Sequence, residues 1–121
     1  MIKGLAGATI WSEDLNRLLP FYRDTLGLAA RVATPGFVVF GEAGQPALAL
    51  GTHSEVHGPN VDPARHMVGL LSDDVTKDWQ RLKAAGVPFI EEPTDYGNFR
   101  IATLKDPEGN LVQLLEPLRA R

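Results

Sequence analysis

The sequence predicts an α+β fold made of two βαβββ modules that arose by internal duplication, with curved mixed sheets around a groove. Three observations carry this. The order strand, helix, three strands occurs twice along the chain. The helix-capping residues Asp14 and Asp74 stand 60 residues apart, and the helix-stopping glycines Gly27 and Gly86 stand 59 apart. Each module offers only one helix for four strands, so one sheet face is left to line a cleft or meet a partner.

The first strand is expected over residues 5–11, apolar on both faces. Asp14 then caps a helix whose apolar stripe is Leu15, Leu18, Leu19, Tyr22 and Leu26, and Gly27 ends it. Pro20 interrupts that stripe, removing one backbone hydrogen bond, so the helix is expected to bend there or to start near Leu18. Residues 28–34, 37–40 and 47–52 read as three short strands, with Pro35-Gly36 as a turn. Residues 53–65 are rich in His, Ser, Gly, Pro, Asn and Asp without periodicity, the pattern of a linker or long loop.

The order then repeats: a strand at 66–71, a helix capped by Asp74 with stripe Val75, Trp79, Leu82 and Ala85, and a stop at Gly86-Val87-Pro88. Residues 87–92 read as a strand and 93–98 as a loop. A closing hairpin follows, with strands at 99–104 and 111–116 around Asp106-Pro107-Glu108-Gly109-Asn110. Proline presets φ in that turn, glycine supplies φ > 0, and the Asp and Asn side chains bond nearby backbone. Its second strand is apolar on both faces except at Gln113, an amide that must find a partner or face a cavity. The expected organisation is a single domain over 1–121, with module 1 at about 3–52, the linker at 53–65 and module 2 at about 66–117.

Composition narrows the function. With 44% apolar and 22% charged residues, the chain falls in the ordinary soluble globular class. A net charge of -3 and the lack of a basic cluster argue against nucleic acid as partner. Zero cysteines exclude disulfides, thiolate metal sites and a cysteine nucleophile. No apolar run of signal-peptide length precedes Glu13, and nothing approaches membrane-spanning length, so a cytoplasmic protein with no membrane partner is expected. Motifs for phosphate loops, dinucleotides and nucleophile elbows are missing, and nothing local sets Ser12, Ser54 or Ser72 beside a histidine. Glu91, Glu92 and Asp95 read as a solvated loop edge rather than as a general base.

The combination Asp14-Leu15, Phe21-Tyr22-Arg23-Asp24 and Leu26-Gly27-Leu28 in the first half resembles the vicinal oxygen chelate superfamily. Asp73-Asp74-Val75, Leu82, Ala84-Ala85-Gly86-Val87 and Asp106 to Asn110 in the second half carry the same resemblance. That superfamily includes glyoxalase I, fosfomycin-resistance thioltransferases, extradiol dioxygenases and bleomycin-resistance proteins. The resemblance spans essentially the whole chain and implies the fold more strongly than the chemistry. In metal-dependent members, four strands each supply one ligand, and the corresponding positions here are Gly7, Ala49, Met67 and Gln113. Two have no donor, one is a soft thioether and one a neutral amide, so no metal and no cofactor are expected. His53, His57 and His66 fall within fourteen residues but read as solvated loop and strand-entry histidines.

By alternation from Gly7, Thr9 and Trp11 face the groove. Trp11 reads either as a platform for a planar ligand or as a dimer-contact or plugging residue. Phe37 and Phe40 lie on opposite faces, so one lines the groove. Tyr96 and Arg100 sit at the hairpin entrance, with Arg100 as a donor to an acidic or carbonyl group. The expected ligand-binding set is Thr9, Trp11, Phe37, Met67, Tyr96, Arg100 and Gln113, with no catalytic residue. The resemblance is greatest in character to the metal-free bleomycin-resistance-like members. It implies a homodimer that sequesters a planar, aromatic or glycopeptide-type antibiotic. The alternatives are a glyoxalase- or dioxygenase-like enzyme with an atypical or absent metal site, and a degenerate subunit without ligand.

Overall fold

Two four-stranded sheets, each backed by a helix, make up the computed structural model, which describes residues 1–118. The chain divides into two compact units, Met1–Gly58 and Pro59–Arg121. The elements of the first are β1 (Gly7–Ser12), α1 (Leu15–Pro20), β2 (Ala30–Thr34), β3 (Phe37–Phe40) and β4 (Ala47–Thr52). Those of the second are β5 (Val68–Leu71), α2 (Val75–Ala84), β6 (Phe89–Tyr96), β7 (Phe99–Lys105) and β8 (Leu111–Pro117). Strand order is β1-β4-β3-β2 in one sheet and β5-β8-β7-β6 in the other, which is the same topology twice. In each, the first and last strands of the unit pair in parallel and the other pairs are antiparallel. The predicted duplicated α+β fold is therefore present.

The repeat extends to single atoms at the helix entries. Ser12 Oγ accepts from the Asp14 backbone N–H at 3.1 Å, and Ser72 Oγ accepts from Asp74 N–H at the same distance. Both serines are buried. Asp14 then accepts from Asn16 N–H at 2.9 Å and Asp74 from Lys77 N–H at 3.0 Å, so each helix begins at its capping aspartate. The first helix thus starts at Leu15, not at Leu18. Pro20 does not end it. The chain continues into a π-helical turn over Phe21–Thr25, closed by Leu26 N–H to Phe21 O at 2.8 Å. A proline offers no N–H to the preceding turn, so the α-ladder lacks one bond there before the turn widens.

In the first unit, Leu15, Leu18, Phe21 and Tyr22 are buried together with Ile10, Val38, Phe40, Leu48 and Leu50, the inward set of β1, β3 and β4. In the second, Val75 and Leu82 are buried with Ala102, Leu104, Val112 and Leu114. Burial of these faces is the main stabilising term for each unit.

One expectation is corrected. The segment 93–98 is not a loop: β6 runs on to Tyr96, and the turn is only Gly97-Asn98. Gly97 has φ 57° and Asn98 a negative φ, the combination a type II′ hairpin turn uses. Pro93 is tolerated because β6 is an edge strand and the register shifts between Glu91 and Thr94. The 53–65 segment is a long loop that carries hydrogen bonds of its own. Gly58 N–H bonds Glu13 Oε1 at 3.0 Å, and Asn60 N–H bonds Glu108 O at 2.8 Å, so its two ends belong to different units.

The hairpin turn is organised by one buried carboxylate. Asp106 Oδ1 accepts from the N–H groups of Glu108 (2.8 Å) and Asn110 (2.9 Å), and Oδ2 accepts from Asn110 Nδ2 at 2.9 Å. Gly109 sits at φ 80°, a conformation unfavourable to residues with a Cβ.

Candidate functional site

Every second residue of a strand points away from the helix, and the register identifies those that share that face. In the first unit the rows are Thr9, Ala49, Val39 and Val32, then Trp11, Gly51, Phe37 and Thr34. Trp11 and Phe37 remain 44% and 37% exposed, far above the core residues on the opposite face. Their rings lie 6.2 Å apart at 39°, and the His53 ring meets Trp11 edge-on at 5.5 Å.

This shelf exists because residue 51 has no side chain. A Cβ there would lie 2.5 Å from Trp11 Cζ3 and 3.0 Å from Phe37 Cδ1. Gly51 is the floor on which the indole rests. Sequence reading missed it, since a strand glycine signals close approach without naming what approaches. It also left His53 in the linker, although parity with Gly51 along the chain places it beside Trp11.

In the second unit the helix-free face carries a polar row, Gly69, Gln113, Thr103 and Glu91, followed by Leu71, Leu115, Ile101 and Thr94. Gln113 thus sits beside Thr103 in a row that Glu91 completes. Tyr96 shares this face through its pairing with Phe99, and its hydroxyl donates to Glu91 Oε2. That hydrogen bond raises the phenol above the ordinary tyrosine range, since ionisation would place two anions together. Met67 lies just before β5 and is partly exposed.

Arg100 goes elsewhere. It pairs with Asp95 and Glu116 across the strands, on the face opposite Gln113. Its Nε donates to Asp95 Oδ1 at 2.7 Å, and this bond lowers the Asp95 carboxyl below the ordinary range. Alternation explains the placement, because residues 100 and 103 on one unbroken strand must face opposite ways. The predicted residues that share a face are therefore Thr9, Trp11 and Phe37 in one unit, and Gln113 and Tyr96 in the other.

The positions that the superfamily's metal ligands would take do not fit a metal. At Gly7 a Cβ would stand 2.5 Å from the backbone oxygen of Ala47, so a liganding side chain cannot be seated without moving the strand. Ala49 is a buried methyl. Met67 and Gln113 supply one soft and one neutral donor. Among the described residues no group of three or more His, Asp or Glu side chains is arranged to hold an ion.

Residues 4–114 match the family profile described as Glyoxalase/Bleomycin resistance protein/Dioxygenase superfamily. An uncharacterized protein of Bacillus subtilis (strain 168), YurT, is 30% identical over 89% of this chain and 94% of its own length. A superfamily member from Sphaerobacter thermophilus DSM 20745 is 27% identical, with TM-score 0.72 over 95% of this chain and 98% of that one. Lactoylglutathione lyase from Agrobacterium tumefaciens is 23% identical with TM-score 0.71, over 95% and 94% of the two chains, a likeness of fold.

Proposed function

The chain belongs to the glyoxalase/bleomycin resistance protein/dioxygenase superfamily, and from that premise we propose that it is a metal-free small-molecule binding protein. It sequesters a planar, aromatic or glycopeptide-type antibiotic by stacking it on Trp11. The single observation that carries this reading is the aromatic shelf: two partly exposed rings and an edge-on imidazole over a glycine floor, on a sheet face without a helix. Tryptophan stacks on planar ligands and adds an indole donor. An enzyme that depends on the superfamily's metal is disfavoured by the donors at Gly7, Ala49, Met67 and Gln113. The proposed working form is a homodimer, as the superfamily resemblance implies, in the cytoplasm that the cysteine-free sequence suggests.

The test is tryptophan fluorescence titration in a Trp79→Phe background with DNA-damaging aromatic antibiotics. Quenching that saturates in the parent and is lost in Trp11→Ala is the expected result. A Trp11→Ala variant that binds as tightly as the parent, measured calorimetrically, removes the shelf from the site. Sedimentation of the same samples checks the dimer.

A further inference from the structure

We propose that the first unit holds a second subsite, beside the shelf, that takes a hydroxylated group such as a sugar ring, so that the ligand class is an aromatic glycoside. The inference rests on the shelf reading for the place of the aglycone. An open surface depression of about 340 Å³ lies where the parallel strands β1 and β4 end, lined by half-buried Val56 and by the exposed side chains of Glu13, Thr52, His53, Ser54 and His57. That volume is at the lower end of the roughly 300–1,000 Å³ of ligand sites. His53 belongs to both places. Its ring meets Trp11 edge-on, and it lines the depression.

The lining chemistry selects the occupant. Glu13 is held in place by Gly58 N–H on Oε1 at 3.0 Å, with His57 Nδ1 3.7 Å from Oε2. His53 Nδ1 accepts from Glu55 N–H at 3.1 Å, so the neutral ring carries its proton on Nε2 and offers a donor. Thr52 and Ser54 add hydroxyls that both give and accept. A cation would find one carboxylate already beside an imidazole, and an anion would meet Glu13. A metal would be left with Glu13 and His57 alone, since Glu55 N–H occupies the His53 lone pair, and two donors fall short of a metal site. An apolar group would leave these polar atoms without partners. Vicinal hydroxyls satisfy the set, donating to the carboxylate while accepting from N–H and O–H groups, with Val56 against the ring carbons.

The experiment compares 4-methylumbelliferone with its β-glucoside, β-galactoside and α-mannoside by calorimetry, in the parent, Glu13→Gln, Ser54→Ala and Trp11→Ala. Glu13→Gln keeps an oxygen for Gly58 N–H. At least one glycoside is expected to bind about tenfold or more tighter than the aglycone in the parent. Glu13→Gln and Ser54→Ala should each erode that preference while leaving aglycone affinity unchanged, and Trp11→Ala should weaken every probe. Equal affinity for aglycone and all glycosides, or a preference that survives both variants, overturns the subsite and leaves the shelf standing. Failure of every probe to bind the parent overturns both.

Discussion

Substituting Gly51 by alanine is the sharpest probe of the shelf, because it changes one methyl group beneath the indole. The added Cβ would lie 2.5 Å from Trp11 Cζ3, 2.8 Å from Cε3 and 3.0 Å from Phe37 Cδ1. Carbon contacts settle near 3.5–4.0 Å, so the indole must lift by about 1 Å. Trp11 is partly exposed and has room to do so. Lifting it disturbs two ring contacts, each worth about 0.5–1.5 kcal/mol. Against that, alanine in a strand is favoured over glycine by roughly 0.5–1 kcal/mol. The net loss of folding stability should be no more than about 2.5 kcal/mol. Affinity for a planar ligand should fall about tenfold, equivalent to 1.4 kcal/mol. Urea melts read the first quantity; Trp11 quenching in a Trp79→Phe background reads the second. Unchanged emission and affinity would refute the account of Gly51 as the shelf floor. So would a stability loss above about 4 kcal/mol, which would make Trp11 a core residue rather than a platform.

Asp106→Ala leaves three donors of the hairpin turn without their acceptor. The residue is only 4% exposed, so a loss of about 3 kcal/mol in urea melts is expected, and a loss below about 1 kcal/mol would contradict its role as hub. Gly7→His, meant to rebuild the superfamily's metal position, should destabilise by about 2 kcal/mol or more and recruit no zinc, because the clash is with the backbone of Ala47; stoichiometric zinc by elemental analysis would count against this. The Asp95 carboxyl, depressed by its bond from Arg100, should titrate at a higher pH in Arg100→Gln, as followed by carbon-13 NMR. Its folded-state value lies below the unfolded one, so any stabilisation is present above the unfolded value and is lost as pH falls through the folded value. An unchanged Asp95 midpoint would break that link.

The duplication, the caps and the closing turn were legible in the sequence because each depends on residues a few positions apart. Asp14, Asp74, Asp106 and Gly109 act on backbone within four residues of themselves, and local chemistry specifies them. Alternation carries Thr9 and Trp11 to the helix-free face for the same reason. Partners from distant strands were not legible. Pro93 stays in a strand because β6 is at an edge, where its missing N–H is tolerated, and edge position follows from the assembled sheet. Arg100 is expected beside Tyr96 at the hairpin entrance, but the register turns it to Asp95 and Glu116, on the face opposite Gln113. Trp11 was visible as a residue of interest, yet its floor at Gly51 and its wall at His53 lie some forty positions away. A strand's own sequence determines which side chains share a face; what stands beside them is decided by pairing, which only the tertiary fold completes.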